Sequence, residues 1–317
     1  MNITTVSVIC NAYNHEPYIE QCLKSLVSQK TSFTYEILVH DDASTDNTAN
    51  IIRKFEKEYP EIVKPIYQTE NQYSKGGVAK FQYPRAKGKY IALCEGDDYW
   101  TDDLKLQRQV EAMEAHPEVD ICAHAAIRVS EDGKKTLLLI SPKTENCVIP
   151  VEDVICGGGG FVATNSLMYR NNFENSNLNF RKTWRIDYTL QIAGSLRGGM
   201  LFLPEVISAY RWLSVGSWTS QQINNRDKRV ETFEKKKKIL GILDEDTQGK
   251  YKETIQQTIL KEEFMFYYLN GPYKYAAANK YKNIRRQASI LLIIKLYIKV
   301  LFPWLLDLKN KKGMDNG

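Results

Sequence analysis

Residues 95–98 read Glu-Gly-Asp-Asp and follow the apolar run Tyr90-Ile91-Ala92-Leu93-Cys94. Three carboxylates within four residues at a strand end repel one another. A hard divalent cation relieves that repulsion by taking their oxygens as ligands. Mg²⁺ or Mn²⁺ held there would bridge to a diphosphate and neutralise the charge on a departing group. The same residues also suit a solvated acidic turn, with Asp102 and Asp103 belonging to the next helix cap. A second cluster is His40-Asp41-Asp42-Ala43-Ser44-Thr45-Asp46. An acidic residue at that strand end would accept the imide hydrogen of uracil or the 2-amino edge of another base. Ser44 and Asp46 equally suit a turn and a helix cap, and Asp46 is read as the N-cap.

Alternating elements must position these clusters. Thr5–Cys10 is a short β-branched run, and Tyr18, Ile19, Cys22, Leu23, Leu26 and Val27 then recur at helical spacing. Pro17 suits the first turn of that helix. Tyr35–Val39 predicts a second strand, and a helix carrying Ile51, Ile52 and Phe55 stops before Pro60. Val63–Tyr67 and Tyr90–Cys94 predict further strands, and Thr101 is placed to cap a helix running to about His116. Such alternation implies parallel strands with crossover helices. Sheets of that kind bind ligands beyond the carboxyl ends of their strands. The polar clusters Asn11–His15, His40–Asp46 and Glu95–Trp100 each follow a strand and therefore gather along one edge.

After Val119 the pattern changes. Val119–Val129 and Lys135–Ile140 flank Glu131-Asp132-Gly133 as a hairpin. Cys156–Gly160 is expected to be a flexible loop; it lacks the Gly-Lys-Ser/Thr ending of a phosphate loop. Leu167–Arg170 and Met200–Leu203 predict strands, with a helix around Asp187–Leu196 and charged helices over 226–269.

The 317 residues are enough for one large domain or a domain with an appendage. The net charge of +5 is concentrated, since residues 280–317 hold nine Lys or Arg against two Asp. Nucleic-acid binding across the body is therefore not expected. The six cysteines form no CxxC pair and are read as reduced core residues, which fits a cytosolic protein. The opening Val6–Cys10 run is too short for a signal peptide. The four histidines are scattered, which argues against a histidine zinc site.

The opening strand with its Tyr13-Asn14, the Asp-Asp-x-Ser-Thr-Asp-x-Thr of residues 41–48, Ala86-Lys87-Gly88-Lys89-Tyr90-Ile91 and Asp97-Asp98 occur in order. Together they resemble the family 2 glycosyltransferases of the GT-A fold, strongly over residues 4–115 and more weakly to about 220. The pattern of residues 221–317 is itself read as a helical C-terminal extension with a basic tail. The resemblance implies an α/β GT-A fold, Rossmann-like, with a mostly parallel central sheet flanked by helices. It implies a nucleotide-sugar-binding half (1–118) and an acceptor-binding half (119–220). It further implies that Asp42 contacts the base, that Ala12 and Tyr13 line the base and ribose pocket, and that Asp97 contacts ribose or donor sugar. Asp98 would hold the Mn²⁺ or Mg²⁺. Glu95 stands where the family has the first Asp of its Asp-x-Asp, and its longer carboxylate can still reach a metal.

Further along, Trp184-Arg185-Ile186-Asp187 matches the family's acceptor-side acidic pair, with Ile186 in place of the usual Glu. Asp187 would be the catalytic base; the alternative is that it caps its helix. Tyr210-Arg211 matches the family's Tyr-Arg, and Arg211 would pair with the diphosphate or serve as a structural partner. Trp212 replaces the frequent His, so no third metal ligand is assigned.

The implied activity is inverting transfer of a sugar, from a donor expected to be a UDP-sugar, to a saccharide or lipid-linked saccharide acceptor in bacterial cell-surface polysaccharide synthesis. A metal-dependent nucleotidyltransferase would need a basic Gly-rich triphosphate loop that is absent. A non-catalytic sugar- or nucleotide-binding protein is the other alternative. Ile290–Leu308 is apolar but interrupted by Lys295, Lys299 and Pro303. It suits a helix lying on the inner face of the membrane better than a span. Contact through residues 284–312 is expected, with packing on the domain or in a dimer as the alternative.

Overall fold

The computed structural model describes residues 4–75, 77–171, 177–214, 219, 222 and 225–301. The chain divides into two compact units, Met1–Gln221 and Gln222–Gly317.

The first unit is built on a sheet of ten strands: β1 (Thr4–Ala12), β2 (Thr34–Asp41), β3 (Val63–Tyr67), β4 (Tyr90–Leu93), β5 (Tyr99–Trp100), β6 (Ile121–Val129), β7 (Thr136–Ile140), β8 (Cys147–Ile149), β9 (Met168–Arg170) and β10 (Met200–Arg211). The path across it is β3-β2-β1-β4-β9-β6-β10-β5, with β7 on β6 and β8 on β10. Along that path β3, β2, β1, β4, β6 and β10 run one way and β9 and β5 run against them. The expected α/β fold with a mostly parallel central sheet is thus present.

The helices of this unit are α1 (Ile19–Val27), α2 (Thr48–Glu58), α3 (Ala79–Gln82), α4 (Lys105–Ala115), α5 (Val151–Gly157), α6 (Asn179–Thr183) and α7 (Asp187–Ser195). α1 buries Ile19, Cys22, Leu23 and Leu26, the one-sided spacing of an amphipathic helix. These pack with Val6, Val8 and Cys10 of β1 and Ile51, Ile52 and Phe55 of α2. Each large apolar side chain buried there contributes roughly 1.5–3 kcal/mol. Before β4 the chain comes so close to β1 that a Cβ on Gly88 would lie 2.4 Å from the Ser7 amide nitrogen. The Gly88 amide instead donates to Ser7 Oγ, which donates to Glu36 Oε1. That buried chain of bonds links the first, second and fourth strands.

Several local expectations shift. The residue at the cap position of α2 is Asn47, although Asp46 Oδ1 still accepts from the Thr48 amide at 3.0 Å. α4 begins at Lys105 rather than just after Thr101. Tyr99 and Trp100 pair with Ala209 and Ser208, and the Thr101 amide donates to the Ile207 carbonyl. Asp102 Oδ1, not Thr101, accepts from the Leu104 amide. Cys156 and Gly157 end α5, and the turn falls at Gly158 with φ +72°. The strand expected over Met200–Leu203 continues to Arg211 because β6 pairs with it as far as Val129. The hairpin at Glu131–Gly133 forms as expected, with Gly133 at φ +73°. Cys10, Cys22, Cys94 and Cys122 are buried free thiols, whereas Cys147 and Cys156 are only half-buried.

The second unit contains α8 (Arg226–Asp246), α9 (Lys252–Asn270), α10 (Tyr273–Ala276), α11 (Lys282–Gln287) and α12 (Ile290–Leu301). α8 and α9 meet through stacked Phe233 and Phe266 rings 4.6 Å apart and a Lys236–Glu262 ion pair. Phe264, Tyr268, Ala276, Tyr281 and Leu296 form its own core. Among the described residues no helix is long and apolar enough to cross a membrane. Residues 302–312 of the expected membrane segment lie outside the described residues.

Candidate active site

The six co-directional strands deliver their carboxyl ends to one edge of the sheet. At the end of β1 the Ala12 carbonyl accepts the Asp42 amide at 2.9 Å, joining the β1 and β2 loops. Asn14 and Ala43 both adopt left-handed backbone, φ 54° and 62°. Polar side chains lace the two loops. Asn14 N donates to Ser44 Oγ, His15 N to Thr48 Oγ1, and Glu16 N to Asp46 Oδ2. Ser44 and Asp46 therefore serve the turn and the helix start. Asp42 is buried, and its two oxygens accept the Gln72 amide at 2.7 Å and the Tyr73 amide at 3.0 Å. Tyr13, at the same rim, is 44% exposed while Ala12 is buried.

The acidic loop leaves β4 beside these residues. The Gly96 amide donates to the Asn11 carbonyl at 2.8 Å. A Cβ on Gly96 would lie 2.8 Å from His15 Nδ1 and 3.1 Å from the Ala12 Cβ, so only glycine fits. Asn11 Nδ2 donates to Glu95 Oε1 at 3.3 Å. Burial pushes the Glu95 carboxyl up to about 8, and the charges of Asp97 and Asp187 add to the push. Asp98 is almost wholly buried; its Oδ1 accepts the Arg211 amide at 2.8 Å. Burial, then Asp97, raises its carboxyl well above the ordinary range. Asp97 Oδ2 accepts from Ser214 Oγ at 2.5 Å.

Arg211 closes the loop from β10. Its Nη1 donates to the Asp97 carbonyl at 2.5 Å, its Nε to the Glu131 carbonyl at 3.1 Å, and its Nη2 to Gln21 Oε1. The guanidinium sits 4.8 Å from the Tyr99 ring centre and 5.1 Å from that of Tyr18. These contacts hold β10, the acidic loop and α1 together.

Asp187 is the first residue of α7. Its Oδ2 accepts from Thr164 Oγ1 at 2.8 Å and its Oδ1 from the Tyr188 amide at 2.9 Å. A Cβ on Gly159 would stand 3.7 Å from Oδ1, so the α5–β9 loop passes directly over the carboxylate. The helix start itself is tied by Thr189, whose Oγ1 accepts from the Ile186 amide at 3.2 Å. Asp187 shares one electrostatic neighbourhood with the acidic loop. It raises Glu95, and it acts together with Asp98 and Asp97 on Tyr210, whose hydroxyl burial pushes up to about 12.

Among the described residues no three His, Cys, Asp or Glu side chains are arranged to hold a metal ion. The donor set still suits a hard cation, because the half-buried Glu95 and the buried Asp98 are carboxylates crowded by like charge. Mg²⁺ is commonly held by one or two carboxylates plus substrate phosphates rather than by an all-protein cage. The loop fits that kind of substrate-completed site.

The family model described as glycosyl transferase family 2 matches residues 7–189, which takes in every one of these loops except that of Arg211. The chain belongs to glycosyltransferase family 2. Uncharacterised proteins of Mycobacterium tuberculosis and Mycobacterium bovis are 34% identical to it over 223 residues, 70% of this chain and 62% of their own length. The chain thus matches less than two thirds of those relatives. An Escherichia coli UDP-Glc:α-D-GlcNAc-diphosphoundecaprenol β-1,3-glucosyltransferase is 38% identical over 111 residues, 34% of this chain and 41% of that protein. The crystal structure of Staphylococcus aureus TarS 1–349 in complex with UDP-GlcNAc superposes with a TM-score of 0.63 at 18% identity, covering 88% of this chain and 78% of that one. That likeness is one of fold.

Within this family 2 domain the sheet edge brings Ala12, Tyr13, Asp42, Glu95, Asp97 and Asp98 together on adjoining loops, and α7 adds Asp187. Sequence reasoning passed over Thr164 and Ser214, and took Asn11 and Gly159 only as members of a polar cluster and a flexible loop. Asn11 lay inside a polar cluster already singled out, which was a usable signal. Thr164 and Ser214 carry none, because their partners are 23 and 117 residues away.

Proposed function

We propose that this protein is an inverting glycosyltransferase that moves a sugar from a UDP-linked donor onto the hydroxyl of a saccharide or lipid-linked saccharide. The observation that carries the reading is that the family 2 region, residues 7–189, holds the Asp42 loop, the Glu95–Asp98 loop and Asp187 at the start of α7 within one compact unit, and the Asp187 charge reaches Glu95. A base and a diphosphate-binding loop must flank one anomeric carbon, and this closeness supports that pairing. The UDP donor and the lipid-linked acceptor are supported by the E. coli relative, whose own name specifies both.

In this reading Asp42 accepts the imide hydrogen of uracil while retaining its two backbone bonds, since a carboxylate offers about four acceptor directions. Ala12 and Tyr13 flank the base and ribose, and Asp97 meets a ribose or sugar hydroxyl. Asp98 and Glu95 would hold Mn²⁺ or Mg²⁺, which when bound supplies electrostatic stabilisation of the departing diphosphate. Asp187 takes the proton from the acceptor hydroxyl as that oxygen attacks the anomeric carbon. One displacement inverts the configuration. Arg211 is a positioning residue, holding the acidic loop against β10. Work on cell-surface polysaccharide at the inner face of the membrane fits contact through residues 284–312.

The test is a panel of nucleotide-sugars with and without Mn²⁺ or Mg²⁺, reading slow release of the free nucleotide. UDP-sugars should be hydrolysed only with metal, chelation should abolish the signal, and Asp98→Asn should remove the metal dependence along with the activity. Release of pyrophosphate from a nucleoside triphosphate, or no turnover of any nucleotide-sugar, would sink the reading.

A further inference from the structure

α12 is apolar on two sides. One side, with Leu292, Leu296 and Val300, packs into the core of the second unit. The other carries Ile290, Leu291, Ile294, Tyr297, Ile298 and Leu301, exposed by 43% to 79%. Residues 291, 294, 298 and 301 follow helical spacing, so they form one outward stripe. Six large apolar side chains in one patch exceed what a surface carries by chance.

The charges around the stripe have one sign. Residues 271–301 contain seven Lys or Arg and no Asp or Glu. Lys280 is paired with Glu263, and Lys299 donates to the Tyr268 carbonyl. The side chains of Lys282 and Arg286 form no ion pair or hydrogen bond among the described residues. With Asn279, Arg285, Ile293 and Tyr297 they line an open surface cavity of about 370 Å³. Tyr297 belongs to both the cavity and the stripe. Cationic donors and a hydrocarbon surface thus adjoin, the two halves of an amphiphile's complement.

We propose that α11 and α12 form a docking surface for an anionic phospholipid bilayer. In it the Lys282/Arg286 cavity takes a lipid phosphate, and the Leu291–Leu301 stripe enters the acyl boundary. The surface gives a specific site to the membrane contact of the proposed function, but it rests only on residues 279–301 and requires no sugar chemistry. Charge complementarity selects this occupant, because a second copy of the chain would bring the same uncompensated cations to the interface.

The full chain is mixed with vesicles of phosphatidylcholine, alone or with phosphatidylglycerol, and sedimented. Binding is expected only where phosphatidylglycerol is present. The double variants K282E/R286E and I294Q/I298Q should each weaken it by about tenfold or more. Metal-dependent nucleotide-sugar hydrolysis in vesicle-free solution should stay at the level of the unaltered chain. Undiminished vesicle binding by both doubles overturns the surface. So does a vesicle-free dimer that I294Q/I298Q makes monomeric, with no vesicle binding by the original chain. Binding of inorganic phosphate at the cavity without binding of vesicles overturns it as well. A failed nucleotide-sugar screen leaves the vesicle result standing, so the two proposals fail separately.

Discussion

In the proposed reaction Asp187 is the general base, which works only if its oxygen is held where the acceptor proton will be, and two of the groups that hold it are donors on neighbouring residues. Thr164 Oγ1 and the Tyr188 amide fix the carboxylate from either side. The amide is part of the helix and cannot be removed by mutation, whereas the hydroxyl can. Under the proposed chemistry, Asp187→Asn lowers kcat by about 10²–10⁴. Thr164→Val leaves the carboxylate but frees its rotamer, and costs about tenfold in kcat with little change in KM. Thr164→Ser keeps the hydroxyl and restores most of that loss. Steady-state kinetics on the three variants decides the matter. Equal kcat for Thr164→Val and Thr164→Ser would show that the hydroxyl positions nothing.

Among the elements, α4 holds an unusual group. Lys105 is completely buried, its ammonium has no hydrogen-bond partner among the described residues, and it lies 3.9 Å from the centre of the Trp100 ring. Burial brings its pKa down from 10.5 to about 7. Between those two values the unfolded chain holds a proton that the folded chain has released, so stability rises with pH across that window. Below about 7 both states are protonated and the full cost of the buried cation is present. Lys105→Met should therefore stabilise the protein by about 1–2 kcal/mol near pH 6, the gain moderated by the lost cation–π contact. The advantage should shrink toward pH 10. Denaturant unfolding across that range measures it, and a constant difference between the two proteins would contradict the buried-charge account.

At the scale of the whole molecule, the two compact units each have a core of their own. One is built on β1, α1 and α2, the other on Phe264, Tyr268, Tyr281 and Leu296. Separate cores predict two calorimetric transitions. A donor nucleotide binds only the first unit in the proposed scheme. A UDP-sugar with metal at 100 times its Kd should stabilise that unit by about 2.7 kcal/mol and leave the other transition in place. A single transition that moves as a whole would show that the units unfold together.

The run of strand and helix signals over the first hundred residues was enough to place the first four strands of the sheet and the helices between them. Hydrophobic period is a local property, and β1, α1, β2, α2, β3 and β4 each carry theirs within a few turns of chain. The acidic loop was legible for the same reason: its carboxylates are neighbours in sequence and sit directly after a strand. The β5 pairing that delays α4 was not legible, because Tyr99–Trp100 is strand only through contact with residues more than a hundred positions later. The same holds for Arg211. Its chemistry was plain from its type, but only the assembled edge shows its donors turned onto the Asp97 and Glu131 carbonyls. Which side chains carry reactive groups was written in the chain. Which of them face one another depended on long-range strand pairing, which hydrogen-bonds groups that are distant in sequence and leaves no local periodicity to reveal it.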